Sequence, residues 1–225
     1  MLPVVTPEEM RQIDNAAHES EEALIERAGY AIAAEALRMM GGGYGRRVTI
    51  IAGKGNNGND GRAAARYLRR RGIRCNIQAP DSPTLPKSNL VIDAAFGTGF
   101  RDSWRPPSQP QCRVLAVDIP SGIDGLTGHD TGSLQADTTV TFGALKPGLL
   151  LQPGASRSGE IKIVDLGLDI GTSKNNLITD DDAAKVIATR SATAHKWTNA
   201  VRVVAGSPQM TGAAQLVTHG ALRAG

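Results

Sequence analysis

One stretch of the chain decides the fold: Arg47-Val48-Thr49-Ile50-Ile51-Ala52-Gly53-Lys54-Gly55-Asn56-Asn57-Gly58-Asn59-Asp60-Gly61. Its first six residues are mostly apolar and β-branched, which predicts a buried strand, and a helix is predicted from Gly61 to Arg71. Glycines spaced as G-x-G-x-x-G between a strand and a helix are typical of dinucleotide-binding turns, since they let the backbone approach a phosphate. The spacing alone does not decide the function, because a tight turn with asparagines in left-handed conformations has the same pattern.

The sequence around this stretch indicates a parallel sheet. Five more β-rich runs follow it, at residues 74–79, 90–93, 113–118, 138–142 and 160–165. Nearly continuous apolar strands favour a parallel sheet that is buried on both faces. Two connections, residues 80–86 and 104–110, are too short and proline-rich to hold a crossover helix. We therefore expect part of one sheet face to be thinly covered.

Two helices are predicted before the sheet. Thr6-Pro7-Glu8-Glu9 is a capping box with proline at the first helical position. The helix it starts is expected to point Arg11, Asp14 and Asn15 outward. A second helix is predicted from about Ser20 to Met40, where a run of three glycines ends it.

Three later strands each end in a polar, glycine-containing turn. These turns are residues 93–99, 118–122 and 142–148. In an open α/β sheet the carboxyl ends of the strands line one crevice, and ligands bind there. A single aspartate after a strand is often only a helix cap or an Asx-turn. Together with the loop after the first strand, however, four such turns on one edge predict a binding site.

Composition limits the class of protein. The 225 residues carry 25 Lys and Arg against 22 Asp and Glu, a formal charge of +3, and 40% are apolar, as in globular proteins. No apolar run approaches the roughly 18 residues that span a bilayer, and the acidic N-terminus differs from a signal peptide. We therefore expect a soluble cytoplasmic protein with no membrane partner.

Two other classes of site are disfavoured. Six arginines lie between Arg62 and Arg74, but no aromatic residues are interleaved for base stacking, so a solvated helix face is predicted and no nucleic-acid partner. Cys75 and Cys112 are far from a CxxC spacing, and the four histidines are scattered. Neither a disulfide framework nor a zinc site is expected.

Several ordered blocks together resemble the YjeF N-terminal domain family, the NAD(P)H-hydrate epimerases. The blocks are Ile25–Gly29, Gly53–Gly61, Asp93–Gly99, Asp118–Gly122 and Lys146–Gly148, and the likeness covers residues 1–170. The resemblance implies a three-layer α/β/α Rossmann-like fold with a mostly parallel sheet. It also implies an isomerase that interconverts the R and S forms of hydrated NADH or NADPH, its small-molecule substrate, with a bound K⁺ ion. A homodimer is left open.

The resemblance also assigns roles to individual residues. Asp118 matches an acidic substrate-contacting position and is our candidate catalytic residue. Asn57, Asp93 and Ser121 match the positions of potassium ligands. The other matched positions are expected to contact substrate and form two stretches: Asn56, Asn57, Gly58, Asn59 and Asp60, then Gly97, Thr98, Gly99, Phe100, Arg101, Asp102 and Ser103. Asn59 departs from the family, which usually has glycine there, and would strain a loop that needs positive φ. The two shortened connections also lack helices that relatives carry.

The implied chemistry suits these residue types. The hydrated ring carries a hydroxyl on a carbon next to nitrogen, and that centre can invert by losing the hydroxyl to an iminium-like cation and taking water back on the other face. A carboxyl group can protonate the departing oxygen, deprotonate the incoming water and stabilise the cation, and we assign these tasks to Asp118. K⁺ would order the loops through hard oxygen ligands. Lys146 is interpreted either as a phosphate contact or as a surface residue.

Residues 171–225 have a different character and form a predicted second unit. Thr179-Asp180-Asp181-Asp182 is interpreted as a capped helix start rather than a metal cluster. A strand is predicted over 201–207, and a last helix after Met210. With His195-Lys196, this segment resembles the opening of a ribokinase-like, ADP- or ATP-dependent NAD(P)H-hydrate dehydratase domain, although Trp197-Thr198-Asn199 stands where relatives continue with glycine. This segment is a linker followed by an incomplete domain start, and it is too short to bury an adequate core of its own. We therefore expect no dehydratase activity from it.

Two other functions remain open on the sequence. An NAD(P)-dependent oxidoreductase is disfavoured because no acid closes the second strand, which ends Gln78-Ala79-Pro80, and no Tyr-x-x-x-Lys pair is present. A non-catalytic nucleotide-binding or RNA-associated scaffold is the other alternative. A scaffold need not keep four polar residues at the strand ends, so Asn57, Asp93, Asp118 and Ser121 together favour catalysis.

Overall fold

The computed structural model describes residues 1–171, 173–187, 191–195, 198 and 200–224. Along the chain its elements are β1 (Leu2–Val4), α1 (Pro7–Ala16), α2 (Glu21–Met40), β2 (Arg47–Ala52), α3 (Asn56–Arg70), β3 (Arg74–Gln78), β4 (Leu90–Ala94), β5 (Arg113–Val117), β6 (Thr138–Phe142), α4 (Pro147–Leu150), α5 (Gly154–Ser158), β7 (Glu160–Val164), β8 (Asn175–Leu177), α6 (Asp180–Val186) and α7 (Gly212–Ala224). The chain divides into two compact units, Met1–Thr179 and Asp180–Gly225.

The first unit is built on a six-stranded parallel sheet with the order β3-β2-β4-β5-β6-β7. Ile50 of β2 pairs with Ile77 on one side and with Ile92 on the other. All six strands predicted for the sheet are present, and the mixed α/β, Rossmann-like fold expected from the sequence is confirmed. The order changes direction at β2, whose neighbours β3 and β4 both follow it in the chain. The loops that follow β2 and its two neighbours, β3 and β4, therefore meet at the carboxyl edge of the sheet.

One sheet face is covered by two helices. Residues of α2 and α3, among them Ile32 and Leu68, pack on a core that includes Ile50, Ile92 and Leu115, all less than 1% exposed. The two helices approach closely because Gly29 has no side chain. A Cβ there would lie 2.3 Å from the Cβ of Ala63, far inside contact distance. Helical layers of this kind bury the strands' apolar side chains on one side of the sheet.

The other face is covered mainly by irregular chain. The connections between β3 and β4 and between β4 and β5 contain no helix, as predicted. Trp104 packs there among sheet residues such as Val114 and beside Leu134. Its indole N–H donates a 2.9 Å hydrogen bond to the Pro80 carbonyl oxygen. This bond joins the two shortened connections to each other, so one tryptophan does part of the covering that helices do in a fully layered fold.

Both N-terminal helices begin as predicted. Thr6 accepts from the Glu9 N–H while Glu9 accepts from the Thr6 N–H, which completes the capping box. Ser20 caps α2, which ends at Gly41 with φ of 66°. Strands β1 and β8 were not predicted. Each has three residues, and their antiparallel pairing carries the first compact unit to Thr179, beyond residue 170.

Two sequence predictions are corrected. Helix α3 begins at Asn56, five residues before the predicted Gly61, because Gly55 takes the extended N-cap conformation and lets the asparagines start the helix. No strand forms over 201–206, where Val201 and Val204 are 71% and 89% exposed and pair with no neighbouring strand. The predicted helix start at Asp180–Asp182 and the last helix are present as α6 and α7. Lys196, Trp197 and Asn199 lie outside the described residues.

Within the described part of the chain, no helix combines the length and the apolar character needed to cross a membrane.

Candidate active site

A cavity of about 1060 Å³ lies at the carboxyl edge of the sheet. Its lining comes from residues at or just after the ends of all six strands, β2 to β7, and from α1, α2 and the start of α3. The predicted convergence of polar turns at one edge is therefore what the fold produces. A cavity of this size can hold a cofactor-sized molecule.

Asn57, Asp93 and Ser121 come together around the backbone of Phe96. The Asn57 side-chain amide donates to the Phe96 carbonyl oxygen at 2.9 Å, and the Phe96 N–H donates to Ser121 Oγ at 2.9 Å. Ser121 donates through its hydroxyl to Asp93 Oδ1 at 2.6 Å and through its backbone N–H to Oδ2 at 2.9 Å. Three residues separated by up to 64 positions in sequence thus form one connected group, of which Asn57 lines the cavity.

This group contains unsatisfied oxygen. Asn57 Oδ1 is buried and has no hydrogen-bond partner, which is rare and costly in a folded protein. The Asp93 carboxylate is fully buried, and no Lys or Arg side chain among the described residues lies within ion-pairing distance of it. Burial raises the pKa of Asp93, although its hydrogen bonds from Ser121 and Ala95 oppose that effect. A cation next to these oxygens would satisfy both residues.

Asp118 follows β5 and faces the cavity with an unusual backbone. Its φ is 66°, a left-handed conformation that costs a residue with a side chain roughly 1 kcal/mol or more. Its N–H donates a 2.6 Å hydrogen bond to the Val140 carbonyl oxygen, which fixes this turn. Aspartate tolerates the left-handed region better than most residues. Such strain is typical of residues that a functional site holds in place.

Lys146 is the partner of Asp118, and the interpretation of Lys146 as a surface residue is wrong. Its side chain is 1% exposed, and its ammonium group donates to Asp118 Oδ1 at 2.7 Å, to Thr141 Oγ1 at 2.9 Å and to the Phe142 carbonyl oxygen at 2.9 Å. An ammonium group has three N–H donors, so none remains for the phosphate contact considered from the sequence. Lys146 begins the Lys-Pro-Gly turn at the start of α4, and its ammonium group lies against Asp118.

Asp60 and Asp14 add two carboxyl groups to the cavity lining. Burial, followed by the nearby charges of Asp118, Asp14 and Glu21, raises the pKa of Asp60 to about 8. Burial also raises the pKa of Asp14, which Lys146 partly offsets. Asp14 is exposed, as predicted, but the solvent it meets is that of the cavity. Sequence reasoning missed its role because only the fold brings α1 to this edge.

The two predicted substrate stretches reach the cavity only in part. From the first stretch, Asn56, Asn57 and Asp60 line it. Gly58 lies behind the turn, where a Cβ would be 2.0 Å from the Gly53 carbonyl oxygen. Asn59 is an ordinary helical residue of α3 without positive φ, so the expected strain is absent.

From the second stretch, the residues that line the cavity are Gly97, Thr98, Gly99 and Phe100. The remaining three, Arg101, Asp102 and Ser103, lie outside its lining. Arg101 instead donates to the carbonyl oxygens of Thr98 and Phe100. The rings of Phe96 and Phe100 stack at 4.1 Å, so this stretch places apolar surface beside the polar groups.

We predict that Asp60→Asn makes the protein more stable, increasingly so as pH rises. A carboxyl group whose pKa is raised on folding binds its proton more tightly in the folded state, so its contribution to stability is full at low pH and is lost as pH rises from about 4 to about 8. An amide carries no such loss. Urea unfolding should show the advantage of the variant growing by about 3 kcal/mol between about pH 5 and pH 8.

The control for this prediction is Asp169→Asn, which removes an exposed carboxylate outside the cavity lining. Its stability difference from the parent should stay the same at both pH values. An Asp60→Asn advantage that does not change with pH would contradict the raised pKa.

Comparison with known proteins identifies a matching family and related chains. Residues 21–86 and 74–148 match the family described as YjeF-related protein N-terminus. A protein of Leuconostoc mesenteroides named NAD(P)H-hydrate epimerase is 35% identical over an alignment that covers 75% of this chain and 92% of the relative. A protein of Moorella thermoacetica named bifunctional NAD(P)H-hydrate repair enzyme Nnr is 31% identical, and the alignment covers 99% of this chain.

Two comparisons concern the length of the chain relative to its relatives and its fold. The chain spans 52% of the Moorella relative, so it corresponds to about half the length of such bifunctional proteins. A crystal structure of the yeast protein ynu0 (YNL200c) superposes with a TM-score of 0.60, covering 80% of this chain and 98% of the yeast chain at 20% identity. That likeness supports the fold.

Proposed function

This chain belongs to the family described as YjeF-related protein N-terminus, and from that membership we propose that it is an NAD(P)H-hydrate epimerase, an isomerase that interconverts the S and R forms of hydrated NADH and NADPH. A relative of that name, 35% identical, is covered by this chain over 92% of its length. The observation that carries the proposal is Asp118, held at positive φ and paired with a buried lysine at the edge of a cavity.

The proposed reaction inverts one carbon of the hydrated ring. The bond between that carbon and its hydroxyl breaks with both electrons going to oxygen, which takes up a proton and leaves as water, while the ring nitrogen shares its lone pair with the carbon. Water then adds to the opposite face and loses a proton, which gives the other epimer. The ring is positively charged between the two steps. A fixed carboxylate beside the ring lowers the barrier, because it needs no rearrangement when the charge develops.

Asp118 supplies that carboxylate. Lys146 and the backbone bond to Val140 fix its position, while its side chain remains 16% exposed toward the cavity. A Cβ on Gly97 would lie 3.5 Å from Asp118 Oδ2. A glycine opposite the carboxylate leaves space for a ring to approach it. The stacked Phe96 and Phe100 rings provide a neighbouring apolar wall beside the carboxylate.

The residues present fit a monovalent cation such as K⁺. The donors would be Asn57, Asp93 and Ser121, which offer amide, carboxylate and hydroxyl oxygens. The orphaned Asn57 Oδ1 and the buried Asp93 are the observations that favour an ion at this place. K⁺ carries no redox chemistry. When bound it would tie the start of α3 to the loop after β4 and so order the cavity wall.

The test starts from the purified S epimer of the hydrate. We expect the protein to form R epimer at least about 10²-fold faster than buffer alone, and the rate to fall severalfold when K⁺ is replaced by tetramethylammonium. Chiral chromatography of timed samples measures both rates. Asn57→Ala should abolish the response to K⁺, because it removes the unpartnered oxygen. No acceleration over buffer would refute the proposed function, and equal rates with and without K⁺ would refute the ion.

A further inference from the structure

Two aspartates of the cavity lie in opposite electrostatic surroundings. Asp118 is paired with the Lys146 ammonium group at 2.7 Å and accepts from Thr141 at 3.3 Å. The side chain of Asp60, in the second turn of α3, forms no hydrogen bond or ion pair with any residue of the described chain. Neither of its oxygens is sealed off from solvent, and the residue lines the same cavity. One carboxyl group is therefore bound to a cation while the other is open to a ligand.

The groups that face Asp60 are negatively charged. They are Asp14 from α1, Glu21 from α2 and Asp118 after β5. Lys146, from the loop after β6, donates its three N–H groups to Asp118, Thr141 and Phe142. Burial together with these carboxylates raises the pKa of Asp60 to about 8, so this carboxyl group carries a proton at neutral pH.

Asp14 is the weaker candidate for holding a proton. Its side chain is exposed to the cavity. The partial burial that remains raises its pKa, and the Lys146 charge opposes this effect by stabilising the ionised form. No cation offsets the burial of Asp60 in this way. Environments that separate the protonation states of two neighbouring carboxyl groups are the arrangement by which other enzymes divide acid and charge-stabilising roles.

We propose that Asp60 is the acid–base residue of the reaction, while Asp118, paired with Lys146, stabilises the ring cation. The inference rests on the proposed epimerase function and divides between two residues the tasks that the sequence assigns to Asp118 alone. Asp60 donates its proton to the hydroxyl oxygen as the carbon–oxygen bond breaks, which releases water. When water adds to the other face, its proton returns to the Asp60 carboxylate through solvent in the cavity. Atoms and charge balance, and nothing is oxidised or reduced.

The experiment compares Asp60→Asn with the parent protein and with Asp60→Glu, using pure S epimer at saturating K⁺. Asp60→Asn should lower kcat about 10²–10³-fold with KM changed less than about threefold, because the amide keeps the shape of the side chain but cannot donate a carboxyl proton. Asp60→Glu should have a kcat at least about tenfold higher than that of Asp60→Asn. In the parent protein, kcat should fall as pH rises above about 8, the range in which Asp60 loses its proton.

The possible outcomes separate the two proposals. If the parent protein does not accelerate epimerisation, the proposed function fails. If the parent is active and Asp60→Asn keeps kcat within about threefold, with the same decline above about pH 8, Asp60 is not the acid. Should Asp60→Asn not fold, the parent pH profile decides, and a kcat that stays flat from about pH 7 to about pH 9.5 overturns the proposal. Asp169→Asn, an exposed aspartate outside the cavity lining, controls for the loss of one negative charge.

Discussion

Asp118→Asn lowers kcat/KM for epimerisation by about 10²–10³-fold, the loss typical of removing one preorganised charge from a transition state. The amide keeps the size of the side chain. Asparagine also tolerates the left-handed conformation that residue 118 adopts, so the backbone turn survives the change. The expected defect is therefore electrostatic: no negative charge faces the ring as its cation forms.

The measurement is steady-state epimerisation of the S hydrate by the variant and by Asp169→Asn. The control removes an equal charge from an exposed position outside the cavity lining and should match the parent within about twofold. An Asp118→Asn enzyme with parental kcat/KM would show that the carboxylate is a turn former only. A loss confined to KM would assign Asp118 to substrate binding instead of catalysis.

Lys146→Met lowers the free energy of unfolding by about 2–3 kcal/mol and lowers epimerisation at the same time. Removing one partner of a buried ion pair leaves the other charge uncompensated, which costs about 3–5 kcal/mol in fully buried pairs. The expected value lies at the low end because Asp118 is 16% exposed and keeps some contact with water. Methionine fills most of the lysine volume, so a cavity contributes little to the loss.

Urea unfolding at about pH 7 measures this effect, and Arg11→Met provides the matched control. Arg11 forms an ion pair with Glu8 on the exposed side of α1, with both side chains more than half exposed. Exposed pairs of this kind contribute little, so the control should unfold like the parent. Combining Lys146→Met with Asp118→Asn should recover part of the stability, since the pair is then removed as a unit. If Lys146→Met unfolds like the parent, the pair does not hold Asp118 in place.

The sheet could be predicted from the sequence because its central strands β2, β4 and β5 are nearly continuous apolar runs, while β3, β6 and β7 mix apolar with polar residues. Each run from β2 to β7 is bounded by turn residues, and hydrophobic patterning alone separates them. The pairing of β1 with β8 could not be foreseen, because it joins three-residue strands more than 170 positions apart. The early start of α3 was missed because asparagine and glycine are typical of turns, and the helix begins on an extended Gly55.

The candidate site was predictable where residues follow strands and unpredictable where they come from elsewhere. Asn57, Asp93 and Ser121 are neighbours because strand order brings the loops after β2, β4 and β5 to one edge. Lys146 gave an ambiguous signal, since the sequence does not say whether a lysine before Pro-Gly is buried. The raised pKa of Asp60 comes first from its burial and then from the carboxylates of Asp118, Asp14 and Glu21, and no local pattern encodes that burial or that proximity.

The central claim is that water leaves and returns at one ring carbon inside this cavity. It is tested most directly by converting pure S hydrate with the protein in water enriched in oxygen-18, then measuring the mass of the R hydrate formed at early times. The account predicts that each newly formed R molecule carries one oxygen-18 at the inverted centre, at a rate about 10²-fold or more above that in buffer. R hydrate that forms at this rate with its original oxygen, or no R hydrate beyond the buffer rate, would contradict it.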